Sequence, residues 1–316
     1  MTNFNNQEAA CSGVFEFLRP LWHLWTSEGL DIILPDKAAF KAAMTILAIC
    51  ANLCPGITVI TYELMSNHLH MVISGPKDII LKFFTLFRRH LRRYLKGRGL
   101  SVPDRFECSL REITTLDEAR NVITYNNRNG YVVSPDSSPF SYRWGANQYF
   151  FNPEAKQRFY DASAKKVSQR ERRKLMHSHI SDGMNNPPMA LDGCACPMGF
   201  CNIDAGEKVF RNATHYFRDV SRNVEAARQI ATQIGERVYY NDDDLFAVVQ
   251  RICKDRYSIP RPSMLPGQAK VEVAKQLHFD YNAGNKQISR ILKMDQVLVD
   301  SLFPSASPPR DQESRK

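Results

Sequence analysis

The stretch Tyr62-Glu63-Leu64-Met65-Ser66-Asn67-His68-Leu69-His70-Met71-Val72-Ile73 organises the chain. It is an apolar, strand-like run that carries two histidines two residues apart. Successive side chains of a strand point to opposite faces, so His68 and His70 share one face and Leu69 takes the other. Two imidazoles roughly 7 Å apart along a strand can converge on one divalent cation. A phosphoryl-transfer enzyme uses such a cation to polarise a phosphate oxygen and neutralise charge in the transition state. The plainer reading is two ordinary strand histidines, one satisfied in the core and one solvated.

Outward from this run the pattern alternates between strand and helix. Ile57 to Leu64 is β-branched and aromatic, as a strand requires. Ala38 to Leu53 has helical apolar spacing, and residues 14–26, around Trp22-His23-Leu24-Trp25, read as a first strand. Gly75-Pro76 breaks the histidine strand. Asp78 to Lys96 is a helix with an apolar stripe and a basic opposite side. Phe106 to Ile113 alternates like another strand. Thr115 to Asn129 is a helix capped by Thr114 or Thr115, acidic in its first turn and closed by Gly130. The order predicts an α+β sandwich with helices against a mainly antiparallel sheet.

Residues 1–150 therefore form a first domain, whose end, Pro135 to Phe151, is an irregular arm. Residues 151–205 read as a charged helix and a breaker-rich linker, and 206–316 as an all-helical C-terminal region. Within that region Lys286 to Leu292, the turn Lys293-Met294-Asp295 and Gln296 to Phe303 have helix-turn-helix spacing, which is equally that of a plain helical hairpin.

The chain has 316 residues, 43% of them apolar, enough for real cores. Its formal net charge is +9, which favours a polyanionic partner. No segment is long and apolar enough to span a membrane, and no amphipathic lipid-facing segment accompanies the charge, so nucleic acid is expected and a membrane is not. The N-terminus lacks the pattern of a secretion signal. Eight cysteines without regular spacing are cytosolic usage. The expected location is cytoplasmic.

Three further features bear on chemistry. Tyr125 lies on the Thr115–Asn129 helix, one turn from Asn121 and from Asn129, on a shared face. A phenolate can attack a phosphodiester and hold a covalent phosphotyrosine, and an amide oxygen on that face could complete a metal shell. The alternative is a packing tyrosine with its hydroxyl at the surface. Arg88, Arg89, Arg92, Arg93, Lys96 and Arg98 alternate with apolar residues at helical spacing, and such a face can track phosphates or be merely solvated. Cys194, Cys196 and Cys201 could bind zinc with His177 or His179, although their spacing matches no standard site.

Met65-Ser66-Asn67-His68-Leu69-His70 resembles the Met-Pro-Asn-His-x-His signature of the HUH single-stranded DNA transposases with one catalytic tyrosine, and within them the REP-associated tyrosine transposases. The likeness covers about residues 14–150. It implies a ferredoxin-like sandwich, with the two histidines and a helix-borne amide binding Mg2+ or Mn2+. It also implies a tyrosine that attacks DNA to leave a 5′-phosphotyrosine and a free 3′-hydroxyl. One departure matters. Aligned without gaps on Arg128 and Gly130, the family tyrosine falls on Asn121 and the family asparagine on Tyr125. Alternatively, Tyr125 to Asn129 keeps the family order and the following segment is shortened. Asn126 stands where the family has proline. Tyr125 is the only tyrosine of the helix and is taken as the nucleophile, with Asn121 and Asn129 as the candidate metal ligands and the choice between them left open.

The expected function is thus a metal-dependent transposase that nicks single-stranded or hairpin DNA and transfers the strand. The alternative is a non-catalytic nucleic-acid-binding regulator built on a decayed transposase fold. Monomer and homodimer are both left open.

Overall fold

Proline 20 separates the first two elements. Cys11, Phe15 and Leu18 recur at helical spacing and are buried, so the chain before it forms α1 (Thr2–Leu18). Proline cannot continue a helix, and β1 follows as Leu21–Thr26. The reading of residues 14–26 as one strand holds only for its second half. The computed structural model describes residues 2–27, 30–128, 142–162, 165–179, 182–220, 242–281 and 283–304.

Asp36 opens α2 (Lys37–Asn52) by accepting a hydrogen bond from the Ala39 amide at 2.9 Å, the standard N-cap arrangement. Then come β2 (Thr58–Leu64) and β3 (Leu69–Ser74). The loop between them is pinned: the Ser66 carbonyl accepts from the amides of Ile33 and Leu34 at 2.8 and 2.7 Å, and Asn67 Nδ2 donates to the Leu30 carbonyl at 3.0 Å. Gly75 ends β3 with φ +133°, where a Cβ would meet the Gly56 carbonyl at 2.5 Å, so only glycine fits. Next are α3 (Lys77–Lys96), β4 (Cys108–Ile113) and α4 (Leu116–Asn127). Thr115 caps α4 through Glu118 N, and Glu118 Oε2 accepts from Thr114 N at 2.9 Å. Asp117 and Glu118 complement the helix dipole in the first turn.

The strands form one antiparallel sheet in the order β2-β3-β1-β4. Trp25 pairs with His70, His23 with Val72 and with Arg111, and Glu63 with His70. Directly paired residues share a face, so His23, Trp25, Glu63, Thr61, His70 and Arg111 stand on one side. Leu24, Leu69, Met71, Ile73 and Tyr62, all fully buried, stand on the other. Right-handed crossovers place α2 and α3 together on that apolar face: the two helices pack on one another, and Lys77 at the start of α3 lies 5.7 Å from the ring of Trp22. Helix α4 covers the polar face, packing on β2 and β3.

The chain divides into two compact units, Met1–Glu236 and Arg237–Lys316, where the sequence reading broke it after 150 and 205. The stretch expected as a linker explains the difference. Cys201 bridges Val59 in parallel, and Asn202 N donates to the Val59 carbonyl at 2.8 Å, so the edge of β2 is stitched to it. Ala195 N donates to Thr45 Oγ1 of α2 at 3.2 Å. Around this stretch the first unit carries α5 (Pro153–Asp161), α6 (Gln169–Met176), α7 (Ile203–Lys208) and α8 (Ala213–Val220). The described part of the second unit holds α9 (Asp242–Tyr257), α10 (Gly267–Tyr281), α11 (Asn285–Leu292) and α12 (Gln296–Leu302). Among the described residues no helix is long and apolar enough to cross a membrane.

Candidate functional site

His68 stands just before β3 and His70 within it, so the strand expected from Asn67 begins two residues later, at Leu69. The rings nevertheless reach the same side, 5.0 Å apart and nearly perpendicular. Both are buried. His68 Nδ1 lies 2.7 Å from Asn67 Oδ1, a contact that orients the ring. An imidazole nitrogen binds a divalent cation at about 2 Å, so rings at this separation are close enough to share one. Among the described residues no three His, Cys, Asp or Glu side chains are grouped to hold a metal. The two imidazoles would therefore be supplemented by amide or water oxygens.

Tyr125 comes to this pair from α4. Its ring stands edge-on to His70, with centroids 5.5 Å apart, and edge-on to His23 at 6.3 Å. His23 in turn stacks on His70 at 5.7 Å and on Trp25 at 4.8 Å. Burial, with His70 and Arg111 nearby, pushes the His23 pKa well below its ordinary value, so this ring is neutral near pH 7. Tyr125 is only 3% exposed, with two imidazoles and a guanidinium against its ring. The Arg128 guanidinium lies 5.0 Å from its ring centroid.

The amides expected to help are distributed unevenly. Asn121 is half-buried one turn before Tyr125, and Asn129 lies outside the described residues. Asn126 is fully buried, and neither amide atom makes a hydrogen bond among the described residues. Asn127 is committed elsewhere: its Oδ1 accepts from Thr61 Oγ1 at 2.5 Å and its Nδ2 donates to Tyr216 Oη at 2.9 Å. Tyr216 Oη donates to Asn147 Oδ1 at 2.6 Å. This buried chain ties α4 to β2 and to α8 and so sets the rotation of α4, hence the direction of Tyr125.

Sequence reasoning missed three members of the cluster. His23 sits on the face of His70 only because β1 pairs with β3, and register is a tertiary fact. Glu63, fully buried and paired with His70, looked like part of an apolar run. Arg128 served only as an alignment landmark. A histidine and a glutamate inside otherwise apolar strands were the available signal, since buried ionisable groups demand a reason.

The basic positions of α3 fall into two sets. Arg88 reaches Glu107 and the Asp104 carbonyl, Arg92 pairs with Asp104, and Arg98 pairs with Asp36. Arg98 holds the Asp36 carboxyl down at about 2. Arg89, Arg93 and Lys96 are exposed, and Arg93 and Lys96 make no ion pair among the described residues. α3 covers the sheet face opposite the ring cluster. Because it runs back along β3, its last turn returns to the sheet end where His68 stands. Trp144 is stacked on Phe40 at 4.8 Å and buried.

Cys194 and Cys196 are held singly. Cys194 Sγ lies 3.1 Å from Asp192 Oδ1, and Cys196 Sγ 3.2 Å from the Tyr149 hydroxyl. Burial raises the pKa of all three thiols, that of Cys194 to about 12, as for structural rather than reactive cysteines. In the second unit, Asp295 caps α12 and Lys293 turns the chain with φ 52°. The segments match helix-turn-helix spacing, but α12 contains no Lys or Arg, and its exposed side presents Val297 and Leu298.

A scan against models of known protein families, a search of curated proteins and a search of solved structures each returned no match. What stands on geometry is an α+β protein in which two sheet histidines, His23 and His70, lie in ring contact with each other and with Tyr125 of α4, and His70 also with His68, just before β3.

Proposed function

We propose that the chain is a metal-dependent enzyme that cuts and rejoins single-stranded or hairpin DNA through Tyr125, in the manner of the HUH transposases it resembles. The observation that carries the reading is the meeting of Tyr125 with His70 and, through it, His68, from elements far apart in sequence. The element order β1-α2-β2-β3-α3-β4 with sheet order β2-β3-β1-β4 supports the proposed ferredoxin-like sandwich and with it this reading. The all-helical character proposed for the C-terminal region agrees with the described elements there.

His68 and His70 are the residues to hold Mg2+ or Mn2+, with Asn121, Asn126 or Asn129 supplying an oxygen. Two nitrogen ligands suit Mn2+ better than Mg2+, which prefers oxygen. The bound ion would supply a Lewis acid for a phosphate oxygen. The Tyr125 oxygen attacks phosphorus in line, the phenol proton passing to solvent or a nearby base. The new Oη–P bond forms as the P–O3′ bond breaks, giving a 5′-phosphotyrosine and a 3′-hydroxyl that takes up a proton. His23 stands against the phenol ring on the sheet side, backed by Trp25. Reversal on a second 3′-hydroxyl would join strands.

The regulator reading would place DNA recognition on the C-terminal helices, where α12 carries no Lys or Arg while α11 carries Lys286 and Arg290. The test is incubation of the protein with a panel of single-stranded hairpin oligonucleotides and Mn2+, followed by denaturing gels. Wild type is expected to give a denaturant-resistant protein–DNA adduct that Tyr125→Phe lacks. Adducts that persist in Tyr125→Phe, or wild type that gives none on any hairpin, would overturn the proposal.

A further inference from the structure

We infer that Arg128 is a phosphate-binding residue: its guanidinium takes a non-bridging oxygen of a DNA backbone phosphate beside Tyr125. The inference rests on the proposed function and adds a contact that the basic run of α3 was expected to supply.

Arg128 is the C-cap of α4 and is 6% exposed. Among the described residues it makes no hydrogen bond and no ion pair, and its Nε is buried without a partner. Its guanidinium lies over the face of Tyr125, 5.0 Å from the ring centroid. Burying a guanidinium without a counter-ion is costly. The C-terminal end of a helix and the ring face offset part of that cost, but neither satisfies its N–H donors. A planar fork of donors held still by a ring is the geometry that suits a phosphate.

A second cation flanks the same cluster. Arg111 of β4 pairs in register with His23 and so faces α4. Its Nη2 is bound by Glu118 of α4, while its Nη1 is buried with no hydrogen-bond partner among the described residues. Two guanidinium groups with unused donors thus stand on the face that carries Tyr125. The other charged neighbour there is Glu63, on the β2 side next to His70. On α3, by contrast, Arg88, Arg92 and Arg98 already spend their charge on Glu107, Asp104 and Asp36.

The test uses the full chain with Tyr125→Phe, which keeps the ring under Arg128 and prevents covalent capture. Binding of a fluorescein-labelled single-stranded hairpin oligonucleotide is followed by anisotropy across salt concentration. Arg128→Gln, close in length and able to hydrogen-bond but uncharged, is expected to bind at least tenfold more weakly. Its slope of log affinity against log salt should be shallower by about 0.7. Arg128→Lys should recover part of the affinity. Melting curves report whether each variant is folded, and Arg128→Lys serves if Arg128→Gln is not, with an expected loss of about threefold. Equal affinity and an equal slope in the folded variants would overturn the inference, as would a parent protein that binds none of the oligonucleotides. If binding depends on Arg128 yet wild type gives no adduct, the covalent chemistry falls and the phosphate contact stands. If adducts form and Arg128 variants bind and react like the parent, the contact falls alone.

Discussion

The ring of Tyr125 meets the ring of His70 edge to face, 5.5 Å apart with planes 88° from one another. One residue belongs to a helix laid over the sheet, the other to a strand within it, so the contact depends on how α4 is seated. That seating is set by polar groups at its end. Asn127 is bonded to Thr61 on one side and Tyr216 on the other, and all three are fully buried. The residues after 142 are therefore part of what aims the phenol.

Tyr216→Phe removes the hydroxyl that links Asn127 to Asn147. Two buried amide groups then lose a partner, and each such loss costs about 1–3 kcal/mol. Urea denaturation should show a loss of at least about 2 kcal/mol with an unchanged m-value. A loss below about 0.5 kcal/mol would mean that the network does not hold α4.

Gly145 and Gly13 make a matched pair. A Cβ at Gly145 would sit 2.5 Å from Glu63 Cγ and 2.9 Å from the Tyr62 carbonyl, at the bridge that joins Gly145 to β2. Gly145→Ala must displace backbone next to His70 and is expected to destabilise by about 1–3 kcal/mol. Gly13 lies exposed inside α1 with nothing within 4 Å of a new Cβ. Gly13→Ala should stabilise by about 0.5–1 kcal/mol, because glycine gives up more freedom than alanine in a helix. Thermal melting of both checks the signs, and a Gly145→Ala variant that melts no lower than wild type would contradict the packing described there.

How much of this was legible in the sequence differs from element to element. Asp36 and Thr115 announced their helices because a cap is a local pattern. The histidine strand showed itself by alternation and by the break at Gly75. Residues 14–18 misled, since Phe15, Leu18, Leu21 and Leu24 look like one apolar run until Pro20 is given its weight. Two of the catalytic expectations, His68 and Tyr125, lie within the same ring cluster as His70. His23 and Arg111 could not be placed there without the pairing of β1 with β3 and β4, which local sequence does not encode. The stretch up to Cys201 looked like a linker because its prolines and glycines signal irregular backbone, and irregular backbone can still be bonded to a sheet edge.

His90 gives a pH dependence. It is fully buried on α3, and its Nδ1–H donates to the Met176 carbonyl at 2.5 Å, tying α3 to α6. Burial depresses its pKa, outweighing the raising effect of that hydrogen bond, and Arg89 and Arg93 depress it further. A histidine with a depressed folded-state pKa adds its full stability above the unfolded value of about 6.5 and loses it as pH falls toward the folded value. His23 and His215 shift the same way, burial leading in each. Stability should therefore drop between about pH 6.5 and the lower folded values, and His90→Gln should drop less over that window. Denaturant melts at pH 7.5 and 5.5 decide it, and equal losses in both proteins would remove His90 from the effect.

Metal binding can be checked without any DNA. If His68 and His70 share a cation, Mn2+ binds the folded chain and stabilises it by mass action, about 2.7 kcal/mol at a concentration one hundred times its dissociation constant. The melting temperature should climb with added Mn2+ and return with a chelator. Mg2+ should act more weakly, because two nitrogen ligands match it poorly. His68→Ala combined with His70→Ala should abolish the rise. Tyr125→Phe should leave it in place, since the phenol is assigned to the reaction and not to the cation. A rise of equal size in the double histidine variant would locate the cation elsewhere, and with it the chemistry.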